Sequence, residues 1–301
     1  MPPVSRSRPR PVRHLPRVLL LPALLLSASV AALAAPDTSI TDRPTPTPIR
    51  ASKIVLVGDS TTAVQGGWGP RFCADHVSSF AACVNLARGG RSSYSYRAEG
   101  SWALAEAEMR AAGYTATSVL IQFGHNDQPG KPGRSTDLQE EFPQNLRRYV
   151  QDARALGARP VLVTPLTRRQ FRDGRLIDDL APWAAAVRTV ARELDVPLLD
   201  LHARSMALVQ AMGPVGAMRM AQAPATQAQV VSALAGTTVG AAPTTAATTP
   251  AAQNALVEPM GQAKVAFDYT HLGPEGAATF ASLVANELAV AVPELRPLLL
   301  P

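Results

Sequence analysis

A serine follows directly on a short apolar run. Gly58-Asp59-Ser60 comes after Lys53-Ile54-Val55-Leu56-Val57, which puts the Ser60 hydroxyl at the end of a buried strand. A hydroxyl in that position can attack an acyl carbon if a base takes its proton, or it can cap the N-terminus of a following helix. Far along the chain, Asp268-Tyr269-Thr270-His271 sets an acid and an imidazole two residues apart. A turn of that length can bring the carboxylate to Nδ1, fix the ring tautomer and leave Nε2 as a general base. The same spacing also serves as a plain structural hydrogen bond. Two further loops could stabilise developing negative charge. Asn126, in Gln122-Phe123-Gly124-His125-Asn126-Asp127, can aim an amide N–H at an oxyanion or close an Asx-turn. Gly89-Gly90, in Asn85 to Ser92, lets a backbone N–H approach a ligand closely or simply turns the chain.

The elements that must position these residues read as an α/β pattern. Five short apolar runs, Ile54–Val57, Val84–Ala87, Val119–Phe123, Pro160–Val163 and Pro197–Leu201, alternate with segments of helical spacing. Trp102, Leu104, Ala105 and Met109 mark one such helix. Leu146, Tyr149, Val150 and Ala153 mark a second, and Trp183, Val187, Val190, Ala191 and Leu194 a third. Strands apolar on both faces, separated by helices, specify a parallel sheet covered on both sides, hence a three-layer α/β/α sandwich. Ligands of such sheets bind at the carboxyl ends of the strands, where Ser60, Gly90 and Asn126 fall. A helix directly after Ser60 is expected to point its amides at the site.

The 301 residues carry 29 Lys and Arg against 23 Asp and Glu. Arg6, Arg8, Arg10, Arg13 and Arg17 lie in the first 34 residues, which hold no acid. Without them the balance is 24 to 23, so the overall charge gives no nucleic-acid footprint. A basic start, an apolar stretch from Val18 to Leu33 and Ala32-Leu33-Ala34 form a secretory signal with cleavage expected after Ala34; an uncleaved anchor is the alternative. The mature chain is then expected to be secreted or periplasmic, with no membrane span. Residues 35–52 read as a Pro/Thr-rich leader and 53–301 as a single domain. A low-complexity stretch at about 213–257, without charge from Met220 to Val257, interrupts it and reads as a flexible surface insertion.

Cys73 and Cys83 are the only cysteines. Their spacing does not suit a metal, and in an exported chain they either close a small disulfide loop or stay as buried thiols. Nucleotide-binding glycine loops, HExxH and the GxSxG elbow are all absent from the sequence, so neither a metal nor another cofactor is expected.

Taken together and in this order, the four pieces resemble the blocks of the SGNH, or GDSL-type, hydrolases. GDSTT, GGRSSYSYRAEG, QFGHND and DYTHLGPEG are similar to the rhamnogalacturonan acetylesterase branch. The resemblance runs from Lys53 to about Leu288 and implies a flavodoxin-like fold without a metal. It also implies Ser60 as nucleophile, Asp268 and His271 as its relay, and Ser60, Gly90 and Asn126 as the oxyanion hole. The implied substrate is an acetylated pectic polysaccharide. Other ester specificities on the same scaffold (xylan or other sugar acetyl esters, lipids, thioesters) and a non-catalytic carbohydrate-binding protein are the alternatives. Trp68, Tyr94 and Tyr96, near the nucleophile, suit either sugar stacking or core packing.

Overall fold

The computed structural model describes residues 45–47, 49–238 and 265–300. The expected signal segment and most of the leader lie outside these residues, as does the part of the insertion beyond residue 238. Among the described residues no helix is long and apolar enough to cross a membrane.

Five parallel strands build the main sheet: β1 (Ser52–Gly58), β2 (Ala81–Asn85), β3 (Thr117–Gln122), β4 (Arg159–Val163) and the short β7 (Leu198–Leu199). Their order is β2-β1-β3-β4-β7. A small antiparallel hairpin, β5 (Phe171–Arg172) with β6 (Arg175–Leu176), stands apart from it. The chain leaves β1 toward β2 and returns on the other side of β1 as β3. The strand order therefore reverses between β1 and β3, and a crevice opens beyond their carboxyl ends.

Alternation along each strand divides the core in two. Ile54, Leu56 and Leu120 face helices α1 (Gly69–Asp75), α6 (Leu201–Ala217) and α8 (Pro274–Ala291), packing on Phe72, Val209, Phe280, Val284 and Leu288. Val55, Val57, Val119 and Ile121 face α3 (Ser101–Arg110), α4 (Glu141–Ala155) and α5 (Ala181–Glu193), packing on Trp102, Tyr149, Val150 and Val187. This is the three-layer sandwich that the apolar runs predict. Trp68 and Tyr96 belong to these cores, whereas Tyr94 is 46% exposed. Of the three aromatics considered for sugar stacking, only Tyr94 is free to do it.

Three expectations are corrected. The second strand lies earlier than its most apolar run. It is an edge strand half-buried along its whole length, so hydrophobicity alone does not mark it; the Leu86 N–H makes the last ladder bond, to the Leu56 carbonyl, and Ala87 lies beyond the strand. No helix begins at Ser60; residues 59–68 form turns, and α1 starts only at Gly69. The proposed insertion is ordered over its first half. Helix α6 kinks at Gly213 (φ 69°, ψ 174°) before Pro214, where a proline cannot continue the ladder. Met220 is buried, and its carbonyl accepts the Gly273 N–H at 2.8 Å. Helix α7 (Gln227–Leu234) opens with a capping box of Thr226 and Gln229. Thr238 then clamps β5: its Oγ1 accepts the Phe171 N–H at 2.7 Å, and its N–H donates to the Phe171 carbonyl. Ala, Gln and Val are adequate helix formers, and the capping box supplies the start that composition hides.

Cys73 in α1 and Cys83 in β2 are joined by a disulfide, with Cα atoms 5.4 Å apart. It ties the edge strand to the helix packed beneath it.

Candidate active site

The turn after β1 is held from below. Asp59 is fully buried; its Oδ1 accepts both the backbone N–H and the hydroxyl of Thr61, each at 2.8 Å. Its Oδ2 lies 3.3 Å from His125 Nδ1, outside hydrogen-bond alignment. Burial alone would raise the Asp59 carboxyl, but His125 and the Thr61 donors outweigh it and hold it below its ordinary value. Gln122, at the end of β3, fixes the other side of the turn. Its Oε1 accepts from Thr62 Oγ1 and, at 3.0 Å, from Trp68 Nε1, while its Nε2 donates to the Thr164 carbonyl. Gly58 is required here, because a Cβ at that position would lie 2.7 Å from the Gln122 carbonyl oxygen. Ser60 caps no helix and is presented, mostly buried, at the β1 end of the crevice.

The loop after β2 comes to the same place. Arg88 N–H donates to the Gly58 carbonyl, and a Cβ on Gly89 would sit 3.7 Å from Ser60 Cβ. Gly90 has φ +75°, a left-handed conformation that favours glycine. Asn126 arrives from β3 and donates one Nδ2 hydrogen to the Arg91 carbonyl at 3.1 Å. Arg134 Nη1 donates to both the Gly90 carbonyl (3.2 Å) and Asn126 Oδ1 (3.3 Å). That contact decides the amide orientation and leaves the second Nδ2 hydrogen available. Among the described residues, the backbone N–H groups of Ser60 and Gly90 have no acceptor.

The C-terminal turn completes the group. Asp268 Oδ2 lies 2.7 Å from His271 Nδ1, while Oδ1 accepts the N–H groups of Thr270 and His271 at 2.7 Å each. Partial burial pushes the Asp268 carboxyl up, yet His271 and these two amides more than compensate, so it stays ionised. An ionised carboxylate accepts, hence Nδ1 carries the ring proton and Nε2 is left basic. The turn docks on the Ser60 loop through the Leu272 N–H, which donates to the Gly66 carbonyl at 2.8 Å. A Cβ on Gly66 would lie 3.4 Å from His271 Cβ and Cδ2, placing the imidazole beside that loop. Among the described residues no hydrogen bond yet links Ser60 Oγ to His271 Nε2; such bonds often tighten only when substrate binds.

A family model of the GDSL-like lipase/acylhydrolases matches residues 56–214. The chain belongs to that family. As one of the GDSL-like hydrolases it is an enzyme acting on carboxylic esters. Two curated relatives come from Bacillus subtilis (strain 168). Rhamnogalacturonan acetylesterase RhgT is 37% identical over 176 residues, 56% of this chain and 72% of its own. YesY, named a probable rhamnogalacturonan acetylesterase, is 33% identical over 170 residues, 54% of this chain and 76% of its own. The crystal structure of the Bacillus subtilis protein YXIM superposes with a TM-score of 0.56 at 21% identity, over 81% of this chain and 57% of that one, a likeness of fold.

Sequence reasoning passed over Gln122, Arg134 and the buried Arg169. Gln122 alone left a signal, as a polar residue closing an otherwise apolar strand.

Proposed function

We propose that this GDSL-like hydrolase is an acetylesterase of pectic polysaccharide that works through Ser60, His271 and Asp268. One observation carries the reading. The Asp268–His271 pair, at 2.7 Å with the tautomer fixed, docks on the turn that bears Ser60, and the Gly89-Gly90 loop comes up to the same serine. In the reaction, Ser60 Oγ attacks the acetyl carbonyl carbon while His271 Nε2 takes its proton. Asp268 stabilises the imidazolium that forms. The oxyanion of the tetrahedral intermediate accepts hydrogen bonds from the Ser60 and Gly90 N–H groups and the unused Asn126 Nδ2 hydrogen. The bond to the sugar oxygen then breaks, and that oxygen leaves with the proton from His271. A water molecule, deprotonated by the same Nε2, attacks the acetyl-enzyme; the Ser60 Oγ–acyl bond breaks, Oγ takes the proton back from His271, and acetate leaves.

The choice of pectin rests on the names of the two curated relatives and on the GGRSSYSYRAEG and DYTHLGPEG segments. Tyr94, exposed just beyond the Gly90 loop, offers a face for a sugar ring. The chain is read as exported, with Ala34 as the last residue removed, and N-terminal sequencing of the mature protein tests that cleavage.

Acetate release is to be measured on acetylated rhamnogalacturonan, acetylated xylan and a short-chain aryl acetate, with Ser60→Ala alongside. Rhamnogalacturonan is expected to be the preferred polymer, and Ser60→Ala to fold and lose nearly all turnover on every substrate. Faster release from xylan would move the specificity to another sugar ester. A fully active Ser60→Ala would refute the nucleophile.

A further inference from the structure

The turn carrying the base is gripped by a single buried side chain from another part of the fold. Arg169 follows β4, in the loop that leads to β5, and is 1% exposed. Its Nη2 donates to the carbonyls of Asp268 (3.0 Å) and His271 (2.8 Å), and its Nη1 donates to that of Thr270 (3.1 Å). Its own backbone N–H donates to the Tyr269 carbonyl at 2.8 Å. Every carbonyl of the four-residue turn therefore ends on Arg169. The N–H groups of Thr270 and His271 end on Asp268 Oδ1, so the turn is fixed from both sides.

Among the described residues Arg169 makes no ion pair, and its Nε has no hydrogen-bond partner. Burial disfavours the Arg169 cation, and the nearby Asp268 charge, too far for an ion pair, offsets this only in part. What the guanidinium offers instead is shape. Its planar fork holds several acceptors in one fixed geometry, which an ammonium on a flexible stem cannot do. The acceptors are backbone carbonyls of the turn, among them those of Asp268 and His271, the two residues that must stay aligned with Ser60.

We propose that Arg169 is a positioning residue of the esterase, locking the 268–271 turn so that the Asp268–His271 pair is presented to Ser60 in one orientation. This rests on the Ser60–His271–Asp268 reading above. Because Arg169 reaches backbone carbonyls and not the substrate, its loss is expected to act on the rate of acyl transfer far more than on binding.

The experiment compares wild type, Arg169→Lys and Arg169→Gln on a short-chain aryl acetate, and follows phosphonylation of Ser60 by a serine-directed phosphonate. Displacing a catalytic group by an ångström can cost about 100-fold, so kcat is expected to fall by about that factor in both variants. KM is expected to stay within about threefold, since the pocket for a small acyl group is unchanged. Phosphonylation is expected to slow in parallel with kcat while still reaching one label per chain. Arg169→Lys keeps the charge and is expected to remain slow, because charge without the fork does not fix the turn.

Wild-type kcat and labelling rate in either variant would overturn the proposal, as would full recovery of kcat in Arg169→Lys. Failure of both variants to fold would also overturn it, assigning Arg169 to stability alone. Wild-type protein that is not labelled at Ser60 would refute the esterase reading itself, an outcome distinct from fast labelling in the variants.

Discussion

Asp127 lies next to Asn126 and is fully buried. Its Oδ1 accepts from the Ser93 N–H (3.0 Å), Ser93 Oγ (2.5 Å) and Thr136 Oγ1 (3.1 Å); Oδ2 has only a long contact of 3.3 Å from the Ser93 N–H. Burial raises the carboxyl from 3.8 to about 7, against the pull of these donors and with a smaller push from Asp59. The folded chain therefore keeps a proton between pH 3.8 and about 7 that the unfolded chain has released. Proton binding to the folded state is the larger, so this contribution to stability is complete below 3.8 and lost as the pH rises through 7. At roughly 1.36 kcal/mol per pH unit it comes to about 4 kcal/mol. Asp127→Asn removes the titration and can keep the contacts, because Oδ1 stays the acceptor and the amide nitrogen takes the place of the poorly bonded Oδ2. Urea unfolding of both proteins at pH 4, 5.5, 7 and 8 checks this. The variant is expected to gain about 4 kcal/mol on wild type between the lowest and highest pH, and the carboxylates common to both chains cancel from the difference. Parallel stability curves would refute the reasoning.

Three other outcomes follow from geometry already described. Asp268→Asn is expected to fold and to lose on the order of 10⁴-fold in kcat on an aryl acetate, since an amide no longer enforces the Nδ1–H tautomer. Asn126→Ala is expected to lose less, about 10² to 10³-fold, because two backbone donors remain; steady-state kinetics on the same ester separates the two roles. Replacing both Cys73 and Cys83 by alanine opens a loop of sequence separation ten and is expected to cost about 3 kcal/mol, seen as a lower Tm by calorimetry with hydrolysis of the aryl acetate retained.

The sequence made the sheet legible because its strands are buried on both faces, which turns Ile54–Val57, Val119–Ile121 and Pro160–Val163 into unbroken apolar runs. It made Ser60, Asn126 and the Asp268–His271 pair legible because each sits in a short motif at a strand end or turn, where type and spacing already imply chemistry. The Val84–Ala87 run places edge strand β2 about three residues too late, since half-burial leaves no sharp pattern. Helix α7 escaped because its alanines resemble linker composition, although Thr226 and Gln229 announce its start. Arg134 and Arg169 were out of reach for a different reason. Their partners, Gly90 with Asn126 and the 268–271 turn, are chosen by tertiary contact, and no local spacing encodes which carbonyls an arginine will meet.

Ser60 stands at the end of the first strand of the sheet, and the 268–271 turn lies just before α8, whose Phe280, Val284 and Leu288 close one side of the core. Parallel pairing between remote segments is intrinsically slow, because chain closure must be met before the contacts it allows can form. Ribosomal synthesis delivers Ser60 early and His271 only after every strand of the sheet. A nascent or C-terminally truncated chain thus holds Ser60 without His271. Under the proposed Ser60–His271 mechanism, hydrolysis is expected only once the last long helix has docked and carried the turn in with it. On that proposal enzymatic activity reports completed folding, and recovery of turnover on refolding is expected to trail the return of helical signal by the time that final docking takes.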